Sequence, residues 1–313
     1  MAHDRTVMRS RAVLAAVLAV GALLPAACGV VALPAPAPSP PSVVAPPVPP
    51  PVPPPVTTSV TPPVAPQPSP SRARAAVDAT ASAAEERNRT TLGVAVLDLA
   101  TGQTVTNDEG DTRLRAASVA KLFTVVDILT RRATGAVTTN AGDDRRIQRA
   151  LSASDDEAMN GLWSTYGGPA GVARVSTLLG LRETGPPDDE SQWGEVKTSA
   201  RDVATLYGFV AQRLAPADRD LVLDALAAAP PTAADGFDQA FGLLDPSRRG
   251  GAAAKQGWLC CLQSSIDLHS AGLPDPAGRY VLVLMSNQPL GYPAARTVLD
   301  DAASAARDAL GRT

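Results

Sequence analysis

Histidine is almost absent from this 313-residue chain: there are two, and only His269 lies beyond the first 27 residues. A Ser-His-Asp relay or a histidine-based zinc site therefore has little to draw on, and His269, inside an extended pattern, reads as structural. Lysine is nearly as scarce. Of 28 basic residues only Lys121, Lys197 and Lys255 are lysine. Cysteine is limited to Cys28 near the N-terminus and the neighbours Cys260 and Cys261. Adjacent cysteines close no loop, so the chain is no disulfide scaffold. At least one of the pair is expected to be buried as a small hydrophobe, with a strained vicinal disulfide as the alternative. The formal net charge is −3, with acids and arginines interspersed and no basic block, which argues against a nucleic-acid partner. Neither a Gly-x-x-x-x-Gly-Lys loop nor a dinucleotide fingerprint occurs, and no cofactor or metal is expected.

What is present begins with an export pattern. Arg5, Arg9 and Arg11 precede an apolar run from Ala12 to Leu24 and then small residues, so 1–27 reads as a signal peptide. The run is too short to span a bilayer as a mature helix. Cys28 directly follows Ala26 and Ala27, as in a bacterial lipobox, although Pro25 stands where that motif usually has Leu or Val. Cys28 is thus the expected lipidation site; cleavage near Ala27 without lipid is the alternative. Segment 28–70 follows, and 34–70 holds more than half of the 30 prolines. Proline fixes φ and removes a donor, so an extended polyproline II stretch is expected. At about 3.1 Å per residue it would reach on the order of 100 Å. It reads as a stalk lifting a domain from the membrane into the cell wall, or as a linker with no further task.

The folded part is expected over 71–313. Residues 71–89 read as a helix, Leu92 to Leu99 and Thr104 to Thr106 as a hairpin of two strands, and Ala116 to Arg132 as a helix. Helical periodicity runs from Asp143 to Leu226, most clearly where Thr198 and Ser199 open the helix Val203 to Leu214. Extended patterns return over Ala252–Leu262, Ser264–Ser270 and Arg279–Ser286, and Pro293–Leu310 is a closing amphipathic helix. Strands at both ends imply one antiparallel sheet completed by both termini. The expected architecture is α+β: a sheet lobe of 71–115 and 250–313, and an inserted all-helical lobe of 116–249. A small-molecule site belongs in the cleft between them.

Where arginine is so strongly favoured, a retained lysine marks chemistry that arginine cannot perform. A desolvated lysine can lose its proton and act as a base; arginine cannot. Lys121 follows Ser118 by three residues at a helix start, which puts both side chains on one face. The positive end of that helix would favour an anion developing at Ser118. Alone, Ser-x-x-Lys is a weak signal, and Ser118 also reads as a plain helix cap. Two more motifs accompany it. Ser154-Asp155-Asp156 begins 36 residues later and runs on through Ala158 to Asn160, and Lys255-Gln256-Gly257-Trp258 opens a late strand.

In this order and on these elements, the three motifs resemble those of the class A β-lactamases and the penicillin-binding peptidases. The resemblance spans nearly the whole folded part and implies a β-lactamase/transpeptidase-like fold, with a five-stranded antiparallel sheet flanked by terminal helices. It implies that Ser118 is acylated, that Lys121 takes its proton, and that Ser154 relays a proton to the leaving nitrogen. Lys255 would anchor a substrate carboxylate, with Asp156, Gln256, Gly257 and Trp258 completing the binding edge. The backbone N–H groups of Ser118 and Trp258 would form the oxyanion hole. The implied partner is a peptidoglycan stem peptide or a β-lactam-like small molecule, met on the outer face of the membrane by a lipid-anchored protein. Asp155 reads as a structural cap.

The chain departs from that pattern in several places. Asp156 replaces the usual Asn; an ionised aspartate only accepts, and as a close partner it would hold Lys121 protonated. Gln256 replaces Thr, and Trp258 is far bulkier than the small residue expected there. The short gap between the first two motifs implies a trimmed helical lobe. The family's Glu-x-x-Leu-Asn is absent, leaving Glu183 and Glu190 as candidates for a deacylating carboxylate. Efficient β-lactam hydrolysis is therefore not expected. The readings that remain are acyl transfer at Ser118 on a D-alanyl peptide or related amide, an inactive binding or scaffolding module on the same fold, and an esterase.

Overall fold

The structure is a computed structural model that describes residues 71–85, 90–275, 278–289 and 291–311. The chain divides into units Met1–Val64 and Ala65–Thr313. The signal-peptide, Cys28 and polyproline expectations lie outside the described residues. In the second unit, helix α1 (Arg72–Glu85) leads into strands β1 (Thr91–Asp98) and β2 (Gln103–Thr106). After the two-residue strand β3 (Leu114–Arg115) come α2 (Ala120–Ala133), α3 (Ala141–Ser152), α4 (Asp156–Tyr166) and α5 (Gly168–Leu179). The short β4 (Lys197–Thr198) precedes α6 (Ala200–Arg213) and α7 (Pro216–Ala227). Strands β5 (Ala253–Cys260), β6 (Ser265–Leu273) and β7 (Tyr280–Pro289), then α8 (Tyr292–Leu310), close the unit.

The five long strands form one antiparallel sheet in the order β2-β1-β7-β6-β5. Its two-residue alternation separates two cores. Leu92, Val94, Leu282, Leu284, Ile266 and Leu268 face α1 and α8, where small residues such as Ala76, Ala302 and Ala306 let the terminal helices lie close together. Ala95, Val281, Val283, Met285 and Ala271 face the other way, toward α6 and the helical block. The expected α+β outline is therefore the observed one, with strands from both ends of the described unit completing the sheet.

Helix α2 is buried without a break from Ala120 to Leu129, which makes it the axis of the helical block rather than an amphipathic surface helix. The 116–249 insertion is not helical throughout. Strands β3 and β4 pair antiparallel (Leu114 with Thr198, Arg115 with Lys197) and tie the start of the block to its return. Ser199 caps α6 by accepting from the Asp202 N–H at 3.2 Å, as its position before the apolar run implies. Tyr207 of α6 is fully buried; its hydroxyl donates to Ala271 O at 2.7 Å and accepts from Lys255 N at 3.1 Å. That bridge docks the helical block onto β5 and β6 at the residue that carries Lys255.

Candidate active site

Ser118 sits on a 3₁₀ turn, Ala117–Val119, that runs directly into α2. Ala117 has φ +46°, in the left-handed region that a side chain disfavours by about 1–2 kcal/mol. The turn is held from the sheet side. Ser286 N–H donates to His269 Nδ1 at 3.2 Å, so the ring proton lies on Nε2 and donates to Arg115 O at 2.7 Å. Burial pulls this imidazole below its ordinary pKa, in keeping with a neutral ring. Arg115 Nε also donates to the buried Asp267 at 2.7 Å. Gly257 lets edge strand β5 approach: a methyl there would stand 3.1 Å from Ala116 O and 3.3 Å from Ala117 Cβ. His269 is thus the structural residue the sequence implied, and it positions the Ser118 turn.

Lys121, in the first turn of α2, is fully buried, and its Nζ lies 2.8 Å from Ser118 Oγ. The same nitrogen lies 2.9 Å from Ser154 O, 3.1 Å from Ser154 Oγ and 2.7 Å from Asp156 Oδ1. Lys255 Nζ approaches Ser154 Oγ from the other side at 2.9 Å and donates to Gln256 O at 2.9 Å. Ser154 therefore stands between two lysines, with its backbone at φ +52°. The strain at Ala117, next to Ser118, thus recurs at Ser154 itself, and strained backbone is commonly found where function over-determines geometry. An ammonium at Lys121 has three protons for four nearby acceptors; a neutral amine has a lone pair available to the Ser118 hydroxyl. The arrangement accommodates both states.

Burial draws Lys121 below the ordinary lysine pKa, and the Asp156 carboxylate beside it offsets this only in part. The ion pair foreseen from the sequence is present, but desolvation outweighs it. Lys255 is lowered well below the lysine value by burial first and then by the charge of Lys121, against the opposing pull of Asp156 and Asp235.

Ser118, itself largely buried, lines an open cleft of about 380 Å³. Asp156, Asn160, Trp193 and Trp258 line it together with Ser191 and Gln192. Asp156 is more than half exposed. Trp193 Nε1 donates to Asn160 Oδ1 at 2.8 Å, and its ring lies 4.5 Å from Lys121 Nζ. Nothing in the sequence singled out Trp193 or Asp235; both lie on irregular segments with no periodic pattern. Neither Glu183 nor Glu190 is among the cleft residues. Glu183 N–H is tied to the buried Asp202 at 2.8 Å, and Glu190 is exposed and accepts through its backbone from Trp163 Nε1 at 2.9 Å.

The remaining site residues follow the period of their strand. Lys255 and Gly257 point toward the helical block, whereas Gln256 and Trp258 lie on the opposite face of β5. Gln256 is fully buried and donates to Phe241 O and, at 3.4 Å, to Gln239 O. Trp258 stacks on Phe237 at 4.5 Å and 10°, with Nε1 3.0 Å from Asp235 Oδ2. Asp155 caps α4 by accepting from Ala158 N at 2.9 Å and pairs with Arg149, as expected. The cysteine expectation is corrected. Cys260, the last residue of β5, and Cys261 just beyond it are both exposed and are bonded to each other, since the strand runs out into solvent there.

A larger hollow of about 550 Å³ lies elsewhere, beside Arg72, Arg248, Arg279 and Arg307. Its arginines already donate to Leu310 O, Asp308, Asp98, and Pro274 O with Leu243 O, respectively. The chemistry-bearing groups are in the smaller cleft.

No family model matches the chain. In sequence it is 40% identical over 237 residues to LppW of Mycobacterium tuberculosis and Mycobacterium bovis, named as a candidate lipoprotein, covering 74% of this chain and 73% of that one. Among solved structures it resembles the TLA-3 extended-spectrum β-lactamase (TM-score 0.62, 13% identity, 75% of this chain and 99% of that one). It also resembles PBP-A (TM-score 0.59, 21% identity, 74% and 95%). A class A β-lactamase from Mycobacterium abscessus is similar at TM-score 0.58 (19% identity, 76% and 100%). At these identities the structural likeness establishes the fold.

Proposed function

The chain belongs to the LppW family of lipoproteins and has the class A β-lactamase fold, and on that premise we propose that it is a cell-envelope acyl-transfer protein with Ser118 as nucleophile. The observation that carries this reading is the 2.8 Å approach of Ser118 Oγ to the fully buried Lys121 Nζ beneath an open cleft. In its neutral form Lys121 takes the Ser118 proton as Oγ attacks an ester or amide carbonyl. Ser154, between Lys121 and Lys255, gives its proton to the departing oxygen or nitrogen and regains one from Lys121, leaving an acyl ester on Ser118. Backbone N–H groups of Ser118 and Trp258 are the proposed oxyanion donors, each commonly worth about 3 kcal/mol. Water or an acceptor amine then releases the acyl group. The loop facing Ser118 presents Ser191, Gln192 and Trp193 in place of a carboxylate, which supports slow release and weak or no β-lactam hydrolysis. The resemblance of the three motifs to those of the penicillin-binding peptidases makes a D-alanyl peptide or related amide of the cell wall the proposed substrate. Cys28 would carry the lipid on the outer face of the membrane, with 34–70 as the stalk; Cys28→Ala should release the protein from membranes.

The second reading is a non-catalytic binding module, favoured by the 2.7 Å contact between Lys121 and Asp156. Intact mass of the purified full chain after exposure to a β-lactam and to p-nitrophenyl acetate separates the two. Acyl transfer predicts a covalent increment that Ser118→Ala abolishes. No increment from any acyl donor, and no ester hydrolysis, would leave the binding module standing.

A further inference from the structure

The charges around the cleft narrow the acyl donor, an inference that rests on the acyl-transfer reading above. We propose that this cleft selects acyl donors with no free carboxylate beside the scissile bond and takes neutral or ammonium-bearing esters and amides instead. A carboxylate needs a cation or hydroxyl donors facing it. Lys255 is the residue the family resemblance assigns to that task, yet it is only 1% exposed and its Nζ is engaged by Ser154 Oγ and Gln256 O. Gln256, in place of a hydroxyl residue, turns to the far face of β5 and donates to Phe241 O, so it offers nothing to a ligand. Trp258 Nε1, the next donor along the strand, is held by Asp235.

What faces the ligand instead is negative and aromatic. The one charged side chain among the described residues lining the cleft is Asp156, and the exposed Asp235 stands behind Trp258. Two lysines and two aspartates leave no surplus positive charge. A ligand carboxylate would meet like charge where it should meet a cation, whereas an ammonium would find the Asp156 carboxylate and the face of Trp193. Trp193 lines the cleft and supplies flat apolar surface for an uncharged acyl group, whereas the Trp258 ring is stacked on Phe237. The cleft therefore keeps an acylation geometry while having lost its anion-binding end.

Benzylpenicillin and its methyl ester share one β-lactam and differ in that carboxylate, so they test the proposal directly. Acylation rates of the full chain are followed by intact mass, each corrected for the probe's reactivity toward a free amine, with p-nitrophenyl acetate as neutral reference and Ser118→Ala as blank. The expected result is that the methyl ester acylates at least tenfold faster than the free acid. Asp156→Asn combined with Asp235→Asn should reduce that ratio to about threefold or less. In the unmodified protein, raising the salt concentration should speed the free acid and leave the ester unchanged, a readout that requires no variant. Equal rates, a faster free acid, or a ratio indifferent to both salt and the double variant would overturn the proposal while leaving acyl transfer intact. Labelling by p-nitrophenyl acetate but by neither penicillin form would overturn it too. No label from any probe would remove the acyl-transfer reading as well.

Discussion

Replacing Asp156 by asparagine removes the carboxylate that lies 2.7 Å from Lys121 Nζ and keeps the side chain's size. An opposite charge at that distance commonly holds a pKa up by about 1–3 units. Asp156 is more than half exposed, so solvent screens the pair and weakens its hold on Lys121. Burial already draws Lys121 below the ordinary lysine value, and losing Asp156 adds to that shift in the same direction. Below its pKa, one unit raises the neutral fraction of the amine about tenfold. A weaker base transfers protons less eagerly, which returns part of the gain. The net expectation is a roughly three- to tenfold faster acylation by p-nitrophenyl acetate near neutral pH. The acid limb of the pH–rate profile should move to lower pH. Quenched-flow mass spectrometry across pH, on the wild-type and variant chains, measures both. If acylation by this neutral ester is slower at every pH and the limb does not move, Asp156 does not restrain Lys121 and the reasoning fails.

Three further outcomes are expected. Asp155→Ala removes the α4 cap and the Arg149 partner and should cost about 1–2 kcal/mol in denaturant melts. Burial would raise the Asp155 pKa, but the Ala158 N–H and Arg149 lower it further; its contribution is therefore present above the unfolded carboxylate range and lost as pH falls through the folded value, so the cost should shrink in acid. Lys255 gives a slope of the same sign in a more alkaline window: the unfolded chain binds a proton that the folded chain resists from the depressed folded value up to about 10.4, so stability rises with pH there. Lys255→Met should flatten that rise, and identical slopes would refute the assignment. Ala117→Gly relieves the φ of +46° at the cost of a more flexible unfolded chain, so it should raise stability by about 1 kcal/mol or less while slowing acylation of Ser118; faster acylation would show that the strain does not aim the serine.

The sheet was legible because its strands carry two-residue alternation at both ends of the chain, and Leu92–Asp98 and Tyr280–Ser286 do pair along their whole length. Helix α6 was legible from a cap and a periodic run, and the cluster around Ser118 from three short motifs on separate elements. The two-residue strands β3 and β4 were not, since no periodicity can be read from two residues. Trp193 and Asp235 escaped notice because their roles depend on where irregular loops return in space. Gln256 and Trp258 were seen as departures, but the face of β5 on which each side chain lies sets its consequence, and that follows from the strand register. The cysteine pair was misjudged for a related reason: burial of a strand's last residue depends on what lies beyond it, and β5 ends in solvent.

The most direct test of the central claim is peptide-resolved mass spectrometry of the full chain after incubation with p-nitrophenyl acetate and with benzylpenicillin methyl ester. The account predicts an acyl increment on the peptide containing Ser118, absent in Ser118→Ala and strongly diminished in Lys121→Met. An unmodified Ser118 under both probes, or an increment that persists in Ser118→Ala, would contradict it.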